Sequence, residues 1–322
     1  EFLGRVPFLR ALTSLAYGYR GPDISKTIDG IRYRTPVLLA AGFDYNAHLT
    51  QILPALGFGG VEVGSVTARR CEGNPKPRLT RLPQSKSIIV NKGLRNDGVD
   101  VIIKRLKAKK RVKDFVIGVS IARTNDEQSA SLHGGIDDYY TSLKKLVVAN
   151  IGDFYTINIS CPNTFGGETF AKPELLEQLL TKLGEVTREK PVYVKMPINL
   201  PWEEFKKLLD IIVRHKLNGV VIGNLNKNYD DLDKRSEAPQ TYCGGLSGKP
   251  CFAHSNELIR RTKAEYGNKL TVFGCGGVLS PEDAMTKFKA GADLLQMITG
   301  MIYEGPGLLR RISRAYARTR AG

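Results

Sequence analysis

Short runs of apolar, mostly β-branched residues recur along this chain. They read VLLAAGF (37–43), GGVEVGSV (59–66), FVIGVSIA (115–122) and FYTINIS (154–160), then VYVKMPI (192–198), GVVIGNL (219–225), LTVFGCGG (270–277) and LLQMITG (294–300). The runs are nearly continuous rather than alternating, the pattern of parallel strands covered on both faces. Helical spacings lie between them. After Pro173, Leu175, Leu176, Leu179, Leu180, Leu183 and Val186 hold one face, and from Trp202 to Lys216 the face repeats with Phe205, Leu208, Leu209 and Ile212. Ser280-Pro281-Glu282-Asp283 reads as an N-cap, a proline at the first helical position and acids in the first turn. Eight strands, each followed by a helix, predict an α/β fold: a closed (β/α)8 TIM barrel over residues 37–322. An extension of helical character over 1–36 precedes it, and nothing is left for a second domain.

Three stretches fall outside the repeat: 1–36, the basic 67–97 and the polar, glycine-rich 226–251. The last two follow strands two and six, so they belong to the catalytic face of a barrel, where long loops are usually functional or mobile. The strand ends on that face form a coherent set. They carry Ala40, Ala41 and Gly42; Gly64 and Ser65; Asn158 through Thr164; Lys195; Asn224 and Asn226; Gly274 through Gly277; and Thr299 with Gly300.

Each candidate has a plain explanation beside the chemical one. Gly276, Gly277 and Gly300 taken singly are turn glycines, but at the ends of strands seven and eight they match the recurrent phosphate site of such barrels. Lys195 within an apolar strand is harder to explain away, because lysine is seldom buried without a partner; a cation there suits an anionic ligand. Any one asparagine is a turn former, whereas several in one mouth offer matched donors and acceptors to amide-like edges. Cys161 alone reads as a small hydrophobe. In a loop just past a strand end, between asparagines and before a proline, its thiol is placed to take a carbon-bound proton, with an ordinary pKa of about 8.5. The other four cysteines and the four histidines show no such setting and no metal-ligand spacing, so no metal site is expected.

Composition narrows the setting. The 322 residues are 42% hydrophobic and 25% charged, enough to bury a full core. No apolar run is long enough to span a bilayer, and no signal peptide is expected. An odd number of cysteines without a CxxC pair points to a reducing compartment, either the cytosol or the cytosolic face of a membrane. Forty-eight Lys and Arg against 32 Asp and Glu give a net charge of +16. Fourteen of the basic residues and only three acids fall within 69–111, and five arginines end the chain. Such a surface is either simply solvated or meets an anionic ligand, a membrane or a nucleic acid.

At this point NISCPN (158–163) resembles the active-site loop of dihydroorotate dehydrogenases. The resemblance runs from AAGFD (40–44) through GSVT (64–67), EGNPKPRLTRLP (72–83), VKMP (194–197), GGLSGKP (244–250) and FGCGGV (273–278) to Thr299. It implies FMN lying against Ala40, Ala41, Gly42 and Ser65, with Asn158 and Lys195 at the flavin ring and Gly248, Gly276, Gly277, Thr299 and Gly300 around its phosphate and ribityl chain. It implies dihydroorotate, oxidised to orotate in pyrimidine biosynthesis, held by Asn91, Asn158, Asn163 and Asn224. Cys161 then takes the C5 proton, with Lys195 as the second catalytic residue, while C6 gives hydride to flavin N5.

The chain mixes two classes of that family. Its cysteine is similar to the soluble class 1, whereas AAGFD, EGNPKPRLTRLP and GGLSGKP are similar to the membrane-associated class 2, where serine is usual. The customary lysine is missing from both of its places, where Tyr45 and Gly64 stand; Lys92 or Arg95 is expected to replace it at the substrate carboxylate. The class 2 strings favour a quinone acceptor over fumarate or NAD. In FLGRVPFLRALTSLAYGYR (2–20), Leu9, Leu12, Leu15, Ala16 and Tyr19 share a helical face suited either to an anionic bilayer surface or to the barrel bottom. No nucleic acid is expected, and a homodimer stays open. Two rivals remain at this stage: a tRNA dihydrouridine synthase, which also uses a Cys-Pro pair, and a barrel that binds its ligand without turning it over.

Overall fold

The computed structural model describes residues 1–160, 170–240 and 244–321. Two helices, α1 (Phe2–Arg5) and α2 (Pro7–Tyr17), open the chain, followed by a hairpin of β1 (Lys26–Ile28) and β2 (Ile31–Tyr33). The barrel begins with β3 (Val37–Leu39) and β4 (Gly60–Val66); β5 (Leu79–Leu82) and β6 (Ser87–Val90) then leave it. It resumes with β7 (Val116–Ile121), β8 (Phe154–Asn158), β9 (Val192–Met196) and β10 (Gly219–Ile222). The chain leaves it once more for β11 (Gly245–Gly248), and β12 (Thr271–Cys275) and β13 (Leu294–Met297) complete the ring. Eight parallel strands close in the order β10-β12-β13-β3-β4-β7-β8-β9, with β9 paired to β10. Outside them run α3 (Val99–Lys107), α4 (Leu132–Val148), α5 (Pro173–Gly184) and α6 (Trp202–Arg214). The outer ring continues with α7 (Phe252–Tyr266), α8 (Pro281–Lys289), α9 (Thr299–Glu304) and α10 (Gly307–Ala321).

All eight expected strands are present, and the α5 and α6 leucines are buried as their spacing predicts. Ser280 caps α8 by accepting from the Asp283 N–H. Three features depart from the reading of the sequence. The first strand is followed by a 3-10 turn at Leu53–Leu56 instead of an α-helix, with Pro54 removing a backbone donor there. The extension over 1–36 ends in a hairpin. The two long loops carry structure of their own, since β6 pairs antiparallel with β5 and β11 in a three-stranded sheet across the catalytic face.

The barrel interior is filled in layers, as side chains alternate in and out along each strand. The lowest layer is apolar: Leu38, Val116, Phe154, Tyr193, Val221, Phe273 and Leu294, with Tyr33 of the hairpin closing it from below. The rings of Tyr193 and Phe273 lie 4.8 Å apart and those of Phe154 and Tyr193 5.4 Å, both edge to face. Gly118 makes room for Phe154, whose ring would lie 2.1 Å from a Cβ at that position. The next layer is polar. Glu62, Thr156, Lys195 and Gln296 point inward, and Gln296 Nε2 donates to Glu62 Oε2. Burial pushes the Glu62 carboxyl above the usual carboxylate range, against the pull of Lys195.

Two predictions follow from these layers. Phe273→Ala opens the dry floor and lowers stability by about 3–5 kcal/mol, read from urea midpoints, while Val148→Ala on the exposed face stays within about 0.5 kcal/mol. Because burial raises the Glu62 pKa in the folded chain above its unfolded value, the stabilising contribution of the protonated carboxyl is full below an ordinary carboxylate pKa and declines as pH rises. Thermal melts from about pH 4 to about pH 8 are therefore expected to show Glu62→Gln gaining on the wild type, with a constant gap counting against a proton on Glu62.

Candidate active site

Two connected cavities open at the C-terminal ends of the barrel strands. The smaller, about 90 Å³, is walled by Gly223, Gly248, Gly276, Gly277 and Gly300 with Cys251 and Cys275. The larger, about 410 Å³, is lined by Ala41, Gly42, Ser65 and Asn158 on the barrel side and by Leu79, Ile88 and Val90 of the covering sheet. Lys195, Asn224, Ser247 and Thr299 line both.

The glycines of the small cavity are there because nothing larger fits. A Cβ on Gly277 would lie 2.5 Å from Phe252 Cβ, and on Gly300 2.0 Å from the Val278 carbonyl. Gly276 and Gly277 also have φ of +100° and +75°, a region that side chains disfavour. The N–H groups of Gly277 and Gly300 meet no protein acceptor among the described residues. The cavity therefore brings a ligand directly onto backbone, with unused donors in its wall.

Lys195 sits where the two cavities meet. It is 5% exposed, yet it makes no hydrogen bond and no ion pair among the described residues. An ammonium held this way costs stability unless a ligand completes it. The asparagines beside it are oriented by serines. Asn224 Nδ2 donates to Ser160 Oγ, which donates to Asn158 Oδ1 at 3.1 Å. Asn158 Nδ2 donates to Ser65 Oγ at 2.9 Å, and Ser65 shares a 2.8 Å bond with Ser120. Asn158 and Asn224 thus face the cavities as one linked unit, and Ser160 precedes Cys161 directly in the chain.

A second cation enters from above. Lys92 Nζ donates to the Gly42 carbonyl at 2.9 Å and lies 4.7 Å over the ring of Tyr45. Burial, with Arg95 nearby, pulls its pKa down. Lys92 and Arg95 both line the larger cavity, as does Tyr45.

The remaining expectations divide. Ala40 lines the small cavity. Asn91 lines neither, and its Oδ1 is occupied by Asn74 Nδ2 at 2.6 Å. Asn226 is fully buried and is used within the fold, donating to Asp231 and the Pro250 carbonyl. Cys161 and Asn163 lie outside the described residues. Burial pushes the Cys251 thiol up to about 12 and raises that of Cys275, as suits unreactive thiols. His215 and His254 bond to Glu177 and Asp231, and no cluster of metal ligands occurs among the described residues. Ser120 and Ser160, which act with Ser65 to orient the asparagines, and the apolar wall from Leu79, Ile88 and Val90, are parts of the site that sequence reading missed. For the wall, two short apolar runs flanking Pro83–Lys86 were the available signal.

No helix among the described residues is long and apolar enough to cross a membrane. The sequence model of the family described as dihydroorotate dehydrogenase matches residues 23–319. A protein named dihydroorotate dehydrogenase (quinone) from Herminiimonas arsenicoxydans is 37% identical over 300 residues, covering 90% of this chain and 84% of the relative. One of the same name from Synechococcus sp. is 35% identical over 315 residues, covering 96% and 82%. Among solved structures, ligand-free DHODH from Eimeria tenella superposes with a TM-score of 0.84 at 29% identity, over 98% of this chain and 93% of that one. The same organism's enzyme in complex with ferulenol gives 0.83 at 27%, over 98% and 91%. The barrel, the motifs and these likenesses agree: the chain belongs to the dihydroorotate dehydrogenase family, and it is a flavin-dependent oxidoreductase.

Proposed function

We propose that this protein oxidises dihydroorotate to orotate with FMN as its cofactor and a quinone as its electron acceptor, in pyrimidine biosynthesis. Lys195 carries the reading. A buried lysine that makes no hydrogen bond and no ion pair among the described residues, at the junction of two cavities, calls for an anionic or carbonyl-rich ring beside it. The side-chain-free wall of Gly248, Gly276, Gly277 and Gly300 fits a phosphate held by backbone, and Thr299 lies beside it. Ala40, Ala41, Gly42, Ser65 and Asn158 fit the flat body of the same ligand. When bound, the flavin supplies the two-electron chemistry that side chains lack.

The protein's own residues do the rest. Asn158 and Asn224, held through Ser160, present amide donors and acceptors to the dihydroorotate ring, and Asn163 of the NISCPN string joins them. Cys161, one residue beyond Ser160, takes the C5 proton as hydride leaves C6. Lys92 meets the substrate carboxylate from above, in the role that the family gives to a lysine at Tyr45 or Gly64. Arg95, exposed at the rim, adds long-range attraction.

The acceptor follows from the relatives named for quinone and from the N-terminal helices. Phe2 is 71% exposed and Phe8 68%, with Leu12 and Leu15 also outward. Such an apolar face beside arginines suits a bilayer surface, where a lipid-soluble acceptor resides.

The direct test is spectroscopic. Dihydroorotate is expected to bleach the yellow protein without air, and a short-chain quinone to reoxidise it faster than fumarate or NAD does. Cys161→Ala keeps the flavin and loses about two orders of magnitude in the reductive step; near-normal reduction would remove Cys161 from the role. For the carboxylate, Lys92→Ala raises the KM for dihydroorotate by about tenfold or more, with the flavin spectrum unchanged. An unaltered KM would move carboxylate recognition to other groups.

A further inference from the structure

A buried cation stands behind the wall of the small cavity. Lys287, in α8, is fully enclosed, and its stem lies across Gly274 of β12, where a Cβ would meet its Cδ and Cγ at 2.8 Å. Its Nζ donates to Ser255 Oγ at 3.0 Å and Asn256 Oδ1 at 2.7 Å, both in the first turns of α7, and lies 5.3 Å over the ring of Phe252. Ser255 Oγ in turn lies 2.7 Å from the Cys275 carbonyl and 3.1 Å from that of Ile222. No carboxylate forms an ion pair with Lys287 among the described residues, although Asp283 acts on it from a distance. Burial pulls its pKa down to about 8, so it is still mostly charged at neutral pH.

This is an expensive group to keep. Two neutral acceptors and a ring face do not replace the water and counter-ion that a buried ammonium gives up. If its purpose were only to fill space and tie α8 to α7, an amide would do so without the charge. Its position supplies the reason. The Lys287 stem packs behind Gly274, and its head reaches, through one serine, the carbonyl of Cys275, where the glycine wall of the small cavity begins. Cys251 and Cys275, the thiols nearest its charge, both line that cavity. Among the described residues no acidic side chain lines it, and Lys195 is the one charged residue that does.

Resting on the reading that this cavity takes a flavin phosphate, we propose that Lys287 balances the phosphate charge from behind the glycine wall and thereby selects the phosphorylated flavin. It touches neither the ligand nor the reacting atoms. Its contribution passes through low-dielectric protein, where a charge one layer away still acts strongly. The glycine amides hold the phosphate in place, and Lys287 supplies the countercharge that amides lack.

Selection between two flavins separates this role from a structural one. Flavin-free protein is titrated with FMN and with riboflavin, followed by flavin fluorescence, for the wild type and for Lys287→Gln. Lys287→Met, which fills the same space without a polar head, serves as the second variant. The expected result is FMN binding weakened by about tenfold or more in both variants, about 1.4 kcal/mol, with riboflavin binding unchanged. Inorganic phosphate alone should raise the melting temperature of the flavin-free wild type but not of the variants. Equal weakening of both flavins would overturn the proposal in favour of a packing role, and unchanged FMN binding would overturn it outright. A wild type that binds neither flavin would instead refute the cofactor reading on which it rests.

Discussion

A closed barrel must fill its own interior, and the way this one does so governs everything at its mouth. The aromatic floor of Phe154, Tyr193 and Phe273, sealed below by Tyr33, keeps water from the strands' lower half. Immediately above it the interior turns polar, with Glu62, Gln296 and Lys195 facing one another in a dry setting. A low-dielectric surround strengthens every charge placed there, so Lys195 acts as a strong cation towards the cavities because the layer beneath it is hydrocarbon. The same packing holds the strand ends still, which lets Asn158 and Asn224 stay aligned through single serine hydroxyls.

The eight barrel strands were legible because each is covered on both faces and therefore reads as an unbroken apolar run. Lys195 stood out for the complementary reason, as a charge within such a run. Other parts were not legible, and the reasons are physical. β1 and β2 are three residues each, too short to carry a period. The sheet over the mouth pairs Ser87–Val90 with Gly245–Gly248, and a pairing of that span leaves no local trace in either segment. The contact of Asn91 with Asn74, which the loop brings back beside it to bond its amide oxygen, has no trace in the string that marks Asn91. Ser160 and Ser120 were anonymous, since a serine takes its meaning from the neighbour it orients.

The basic composition also has a structural answer. Part of the basic character of 69–111 is used within the fold. Arg69 bridges Asp126 and the buried Asp138, and Arg105 binds Asp97. Arg111 binds Asp153, and Lys109 donates to the carbonyls of Ala47 and His48. Arg69 and Arg105 tie the two ends of the 67–97 loop to α4 and α3, whereas Lys109 and Arg111 fasten the segment after α3 to the barrel. What remains directed at the cavities is a short list headed by Lys92, which is a reason to treat a net charge of +16 as a statement about construction before reading it as a statement about partners.

The cover over the mouth ties together two segments of chain that emerge far apart during synthesis, with Ser87 Oγ donating to the Ser247 carbonyl across 160 residues. β5 and β6 are made early and can pair with each other, but their third strand does not exist until most of the barrel has been translated. Gly276, Gly277, Thr299 and Gly300 come later still. The pocket is thus assembled from its earliest and latest parts at once, and no truncated nascent chain holds a complete one. A complete pocket therefore exists only once β13 and Thr299 have been made, and a chain that stalls in translation lacks the walls with which to enclose a ligand.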